Sequence, residues 1–268
     1  MLNIYFLLLF SFFCFLSAEE NDLPSTNEYK VVSTVRRNKL CYTQGLIFNS
    51  TTNTLIESCG LYHQSSFRVL NYSNLTPQKE IILPSEHFAE GIAKCGNYYY
   101  QLTWREKIIY KFSSSFQYIK TIPLPLPLRE GWGLSASENP NELLLTDGSD
   151  KIYWVDCEND FNVNKRINVY KSKESISKLN DLIYANDYIW ANQYLTEMIY
   201  KIDPQNGKVK EKFNMSSIIE YEYKQNTLTK DELNRGFVLN GIAYNDKNHT
   251  FIITGKNWGY YYEIQFFK

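Results

Sequence analysis

Histidine is scarce in this chain, with 3 among 268 residues, and cysteine is limited to 5. The cysteines form no CxxC pair and no Cys/His spacing of the kind that holds zinc, so no metal site is expected. Basic and acidic residues balance at 28 against 29. Without an excess of either sign, neither a nucleic-acid groove nor an anionic membrane surface is implied. Beyond the N-terminus no apolar run approaches the roughly 20 residues that cross a bilayer.

The N-terminus itself, "MLNIYFLLLFSFFCFLSAEE", carries an apolar run from Ile4 to Leu16 followed by Ser17 and Ala18. That order predicts a secretory signal over residues 1–18, or else an uncleaved anchor, with a flexible segment over 19–27. The expected location is the secretory pathway, secreted or lumenal, with membrane attachment only if the anchor stays. Cleavage leaves Cys41, Cys59, Cys95 and Cys157, an even set bound for an oxidising compartment. They are either disulfides, with three pairings open, or buried free thiols. Sequons at Asn49, Asn71, Asn74, Asn214 and Asn248 agree with that route.

What the sequence has in quantity is aromatic side chains, at 16% with 22 Tyr and 16 Phe. Such residues favour packed strands over disorder. Self-comparison finds a unit repeated five times: a polar residue, usually a glycine, then an apolar strand, a turn, and further strands. The copies open at "QGLIF" (Gln44), "EGIAK" (Glu90), "EGWGL" (Glu130), "NDLIY" (Asn180) and "NGIAY" (Asn240). Second strands follow as "NTLIESC", "YYYQLT", "ELLLT", "YIWAN" and "TFIIT"; third strands as "FRVLN", "IIYKF", "IYWVD", "MIYKID" and "YYYEI".

One such unit cannot bury both its faces, so units of this size are expected to stack around an axis as propeller blades. The predicted fold is all-β, a five-bladed β-propeller over residues 28–268. The segment Glu28 to Arg37 has strand character and is expected to pair with the last blade, closing the ring. An insert at about 210–236 separates the last two units; "SIIE", Ser217 to Glu220, has capping-box spacing and predicts a short helix. The insert either covers the channel mouth or is a solvated excursion.

Innermost strands of a propeller all start at one end of the channel. Gln44, Glu90, Glu130, Asn180 and Asn240 should therefore crowd one mouth, with Trp104, Asp147, Asn192 and Lys256 arriving from the ends of the second strands. Glycines after the opening residues let channel backbones approach. Glu130, Asn240 and Asp147 are expected mainly to cap neighbouring loops. The histidines, His63, His87 and His249, open no repeat.

At these residues the chain resembles the plant-type glutaminyl-peptide cyclotransferases, or glutaminyl cyclases, which are five-bladed propellers. The resemblance rests on "YTQGL", "AEGIA" with "YQLTWRE", "EGWGL" with "TDGS", "LNDLIY" with "IWAN", and "VLNGIAYN" with "TGKNW". Together these motifs span Tyr42 to Trp258, nearly all of the mature chain. The family converts an N-terminal glutamine of peptides and proteins to pyroglutamate and releases ammonia, and its plant-type members need no metal or other cofactor. Matched position by position, the resemblance implies Glu90 as catalytic acid/base and Lys256 as the group that polarises the substrate. It implies Gln44 and Asn180 as substrate-binding residues and Trp104 and Trp132 as pocket walls. Where the family carries a further pocket tryptophan after "IWAN", this chain has Tyr194, which keeps an aromatic wall and adds a hydroxyl. A monomer acting on N-terminal glutaminyl peptides is the expected form. Two alternatives stand beside it: a secreted propeller that only binds protein, and a metal-dependent lactonase-like hydrolase, which would want several carboxylates at the mouth.

Overall fold

The computed structural model describes residues 23–267; the predicted signal over 1–18 lies outside them. Five four-stranded antiparallel sheets make up the fold. Blade I runs through β2 (Thr43–Asn49), β3 (Thr54–Cys59), β4 (Ser66–Asn71) and β5 (Pro77–Ile82). Blade II is β6 (Ala89–Cys95), β7 (Tyr98–Thr103), β8 (Ile108–Ser113) and β9 (Tyr118–Pro123). Blade III is β10 (Leu134–Ala136), β11 (Glu142–Thr146), β12 (Lys151–Asp156) and β13 (Asn162–Asn168), followed by a small hairpin, β14 (Tyr170–Lys171) and β15 (Glu174–Ser175). Blade IV is β16 (Leu179–Ala185), β17 (Tyr188–Gln193), β18 (Met198–Ile202) and β19 (Val209–Asn214). Two short helices, α1 (Ser216–Lys224) and α2 (Lys230–Asn234), lead to β20 (Leu239–Asn245), β21 (Thr250–Gly255) and β22 (Tyr260–Phe266) of blade V. The fourth strand of blade V is β1 (Tyr29–Arg36), paired antiparallel with β22.

The tight turn between β16 and β17 has a local cause: Asn186 and Asp187 both take positive φ, at 52° and 64°. Asparagine and aspartate tolerate that region, and the resulting two-residue turn matches the twist of the strands it joins. The apolar residues are divided into five cores, each lying between neighbouring blades. Leu46, Leu55 and Leu70 of blade I pack on Ala243, Ile252 and Tyr261 of blade V, while Ile56 and Phe67 meet Ile92 and Tyr110 of blade II. The remaining cores join blade II to III, III to IV and IV to V in the same way. Innermost strands β2, β6, β10, β16 and β20 accordingly touch in a closed circle.

The joint between blades V and I is also ionic. Glu57, fully buried on β3, accepts from Arg37 Nη2 at 2.7 Å, Arg68 Nη2 at 2.7 Å, Thr43 Oγ1 at 2.6 Å and Tyr261 Oη at 2.7 Å. Two guanidiniums and two hydroxyls hold this carboxyl below its ordinary value against the opposing effect of burial. Tyr261→Phe keeps the ring and removes one donor from a buried charge. It should lower unfolding free energy by about 1.5–3 kcal/mol, the usual worth of a hydrogen bond to a charged group. An unchanged urea midpoint would show that Tyr261 Oη contributes nothing to the joint.

Three expectations need correction. Residues 23–27 are not a loose leader: Pro24 O accepts from Val31 N at 2.9 Å and Leu23 packs on the core. The stretch expected as an insert from about 210 begins as β19, which pairs with β18. Finally, Ser217 lies inside α1 and caps nothing; the capping box belongs to α2, formed by Thr229 and Glu232. Both pairs have the S/T-x-x-E spacing, but only Thr229 has the extended backbone a cap needs. Glu222 anchors α1 by accepting from Gly259 N at 3.0 Å, Tyr260 N at 3.1 Å and Tyr262 Oη at 2.8 Å.

The four cysteines form two disulfides, Cys41–Cys59 and Cys95–Cys157. Cys41, Glu57 and Cys59 lie close enough together to suggest a metal site, but the sulfurs are bonded to each other and the carboxylate to two arginines. No helix among the described residues is long and apolar enough to cross a membrane.

Candidate active site

Strand pairing sets which residue of each repeat faces the channel mouth. Leu46, Ile92, Leu134, Leu182 and Ile242 occupy equivalent pairings on their blades. Two residues earlier stand Gln44, Glu90, Trp132, Asn180 and Asn240. In blade III the mouth position thus belongs to Trp132 rather than Glu130. In blades I, II and III the intervening residue is a glycine at which neighbouring backbones meet, while in blade IV it is Asp181, whose Oδ2 accepts from Ile242 N at 2.8 Å. A Cβ on Gly45 would fall 2.9 Å from Ile92 N, one on Gly91 2.4 Å from Leu134 N, and one on Gly133 2.0 Å from Asn180 O. Contacts this short exclude a side chain there, as expected for glycines at a close backbone approach.

A cavity of about 240 Å³ opens at this mouth. Its floor is polar and buried, made of Gln44, Glu90, Asn180 and Lys256, none more than 5% exposed. Its walls are aromatic: Tyr42, Phe88, Trp104, Trp132 and Tyr194. Phe88 sits edge-on to both Tyr42 and Trp104, and Trp132 edge-on to Tyr194, with centroids 5.6–6.3 Å apart. Glu130 lies behind this wall and clamps it, accepting from Trp104 Nε1 at 2.7 Å and Trp132 Nε1 at 2.9 Å. The Lys256 ammonium completes the circle, 4.8 Å from the Tyr42 ring and 4.9 Å from the Tyr194 ring.

The floor residues are oriented by a relay of amides. Asn192 Nδ2 donates to Asn240 Oδ1 at 3.0 Å, Asn240 Nδ2 to Gln44 Oε1 at 3.2 Å, and Gln44 Nε2 to Glu90 Oε1 at 3.2 Å. Asn180 Oδ1 is buried and has no hydrogen-bond partner among the described residues. Burial raises the Glu90 carboxyl well above its ordinary range, although the nearby Lys256 charge opposes the shift. Burial also brings Lys256 down to about 8, against the pull of Glu90 and Asp181. Burial thus works against the charged form of both groups, and the Lys256 ammonium is brought to where it can exchange a proton near ordinary pH. That combination points to catalysis more than to passive binding.

The chain matches the family described as glutamine cyclotransferase over residues 6–266. It belongs to that family. Among cyclotransferase relatives, a glutaminyl-peptide cyclotransferase of Arabidopsis thaliana is 29% identical over 242 residues, covering 89% of this chain and 71% of the relative. The solved glutaminyl cyclase of Myxococcus xanthus superposes with a TM-score of 0.77 at 27% identity, covering 89% of this chain and 96% of that one. A streptogramin B lyase shares the fold alone, at 10% identity and a TM-score of 0.51, over 89% of this chain and 98% of that one.

Every cyclotransferase site residue expected from the sequence lines this one cavity: Glu90, Lys256, Gln44, Trp104, Trp132, Asn180 and Tyr194. Glu130, Asn240, Asp147 and Asn192 do not line it. Asp147 accepts from Ser149 N and Tyr153 Oη and so holds a loop, and His87 pairs with Tyr110 away from the mouth. Sequence reasoning missed Tyr42 and Phe88. The signal was present, since each stands two residues before a mouth residue and extended chain puts such positions on one face. It also left open whether the insert reaches the mouth. Gly236 O accepts from Tyr42 Oη at 3.2 Å and Phe237 packs on the Tyr42 ring, so the insert borders the site.

Proposed function

We propose that this protein is a glutaminyl-peptide cyclotransferase that closes an N-terminal glutamine into pyroglutamate and releases ammonia, with Glu90 moving the proton. The observation that carries the reading is one buried carboxylate and one buried ammonium on the floor of an aromatic-walled cavity. In the reaction the α-amine nitrogen bonds to the side-chain carboxamide carbon, and the bond from that carbon to its NH2 group breaks. The amine gives up a proton and the departing nitrogen takes one, leaving as ammonia. A single carboxylate between the two nitrogens serves both transfers.

Lys256 donates to the carboxamide oxygen as negative charge gathers there, a fixed donor that lowers the barrier. The free Asn180 Oδ1 accepts an N–H of the substrate, and Gln44 reads its amide. Trp104, Trp132 and Tyr194 exclude water and hold the glutamine side chain folded toward its own amine. No step calls for a metal ion, and the pocket floor offers one carboxylate where a metal hydrolase would want several. All lining residues come from one ring, so a monomer suffices. The disulfides and the N-terminal apolar run support a secretory location.

Purified protein given a Gln-initiated dipeptide in excess chelator should release ammonia at the same rate as without chelator. A rate abolished by chelation would favour a metal-dependent hydrolase, and no ammonia under either condition a binding protein.

A further inference from the structure

A second cavity, of about 310 Å³, adjoins the first over blade I. Its lining comes from the approach to β2, the β3–β4 connection, β4 and β5 as far as Ile82, and Asn257 of blade V. Tyr42 lines both cavities. Gly60 lines the second and backs onto the first, since a Cβ there would stand 2.6 Å from the Phe88 ring and 3.0 Å from Gln44 Cγ. The Cys41–Cys59 disulfide belongs to the lining, so a covalent bond and not loop packing alone fixes the wall shared with the site.

The cations of this groove are engaged in ion pairs, Arg68 with Glu57, which it shares with Arg37, at 2.7 Å and Lys39 with Glu80 at 2.8 Å. The lining also carries Gln64, Ser66 and Asn257, but two of its apolar side chains stand out into solvent: Leu40 and Ile82 are 55% and 75% exposed. Other sides of the rim are taken up by Phe237 against Tyr42, by the two indoles tied to Glu130, and by Tyr194 against Trp132. Only the first residue of a substrate reacts, so the remaining chain must leave the pocket. Extended peptide advances about 3.3–3.6 Å per residue, which lets the next few residues reach the groove.

We propose that the groove over blade I is the subsite for the second to fourth residues of the substrate peptide and that it favours apolar side chains. The inference rests on the cyclotransferase reading above. Its test compares kcat/KM for Gln-Ala-Leu-Ala amide, Gln-Ala-Lys-Ala amide and Gln-Ala amide. Wild-type protein should favour the leucine peptide over both others by about fivefold, less than the tenfold or more a methylene gains in an enclosed pocket. In the Leu40→Asp, Ile82→Asp double variant the order should invert and the lysine peptide should lead, a gain that misfolded protein cannot produce. Equal rates for all three peptides in wild type, or a leucine preference surviving in the variant, would overturn the subsite. Failure of wild type to turn over even Gln-Ala amide would instead bring down the cyclotransferase reading, and the subsite with it.

Discussion

Glu90→Gln should fold normally and lose roughly two to four powers of ten in kcat, the usual worth of a positioned general acid/base. That corresponds to about 2.7–5.4 kcal/mol of barrier. Glutamine has the shape of the carboxylate and can still pair with Gln44, so the relay from Asn192 through Asn240 keeps its geometry. What disappears is the capacity to take a proton from the amine and return it to the leaving nitrogen. Because burial already disfavours the charged form of Glu90, a neutral amide there should not weaken the fold. The check is ammonia release under saturating substrate, with circular dichroism to establish folding. A folded variant with near-normal turnover would remove Glu90 from the mechanism.

How much of this was legible in the sequence depended on how much of each strand is buried. The first three strands of every blade are buried, so their apolar runs were plain. The outer strands are half-solvated: β5 and β9 expose most of their residues. In β19, "VKEKFN", only Val209 and Phe213 turn inward. Three charged residues between them hid the strand and produced an insert that begins too early. The register error in blade III has a different origin. "EGWGL" offers two residue–glycine pairs, and polarity favoured Glu130 over Trp132. Strand pairing and the approach of Gly133 to Asn180 decide for Trp132. The displaced carboxylate still serves the site, because it holds the two indoles that form one wall. Asn240, expected to cap a loop, instead donates to Thr43 O on β2, and Asn192 donates to Leu239 O on β20. The same amides orient Gln44; a role passed through two intervening amides leaves no local mark in a sequence.

Lys256→Met should lower kcat by about two to three powers of ten, the loss found when a donor to a developing oxyanion is removed. The pH profile separates this role from packing. Proton losses act in opposite directions on kcat/KM. The attacking α-amine, with an ordinary pKa near 7.7–8.0, must be neutral to react, and Glu90, raised by burial, must be ionised to accept its proton, so the rate should climb from about pH 6 toward 8. Lys256 must stay protonated to donate, and burial brings it to about 8, so the rate should fall as pH rises beyond that value. The groups facing this ammonium are the Glu90 and Asp181 carboxyls and the rings of Tyr42 and Tyr194. Tyr42, pushed up to about 12 by burial, does not titrate in that window. Arginine remains charged throughout it. Lys256→Arg should therefore retain part of the activity and lose the alkaline fall, whereas Lys256→Met should be slow at every pH. An alkaline limb that persists unchanged in the arginine variant would assign the fall to another group and leave Lys256 without the proposed donation.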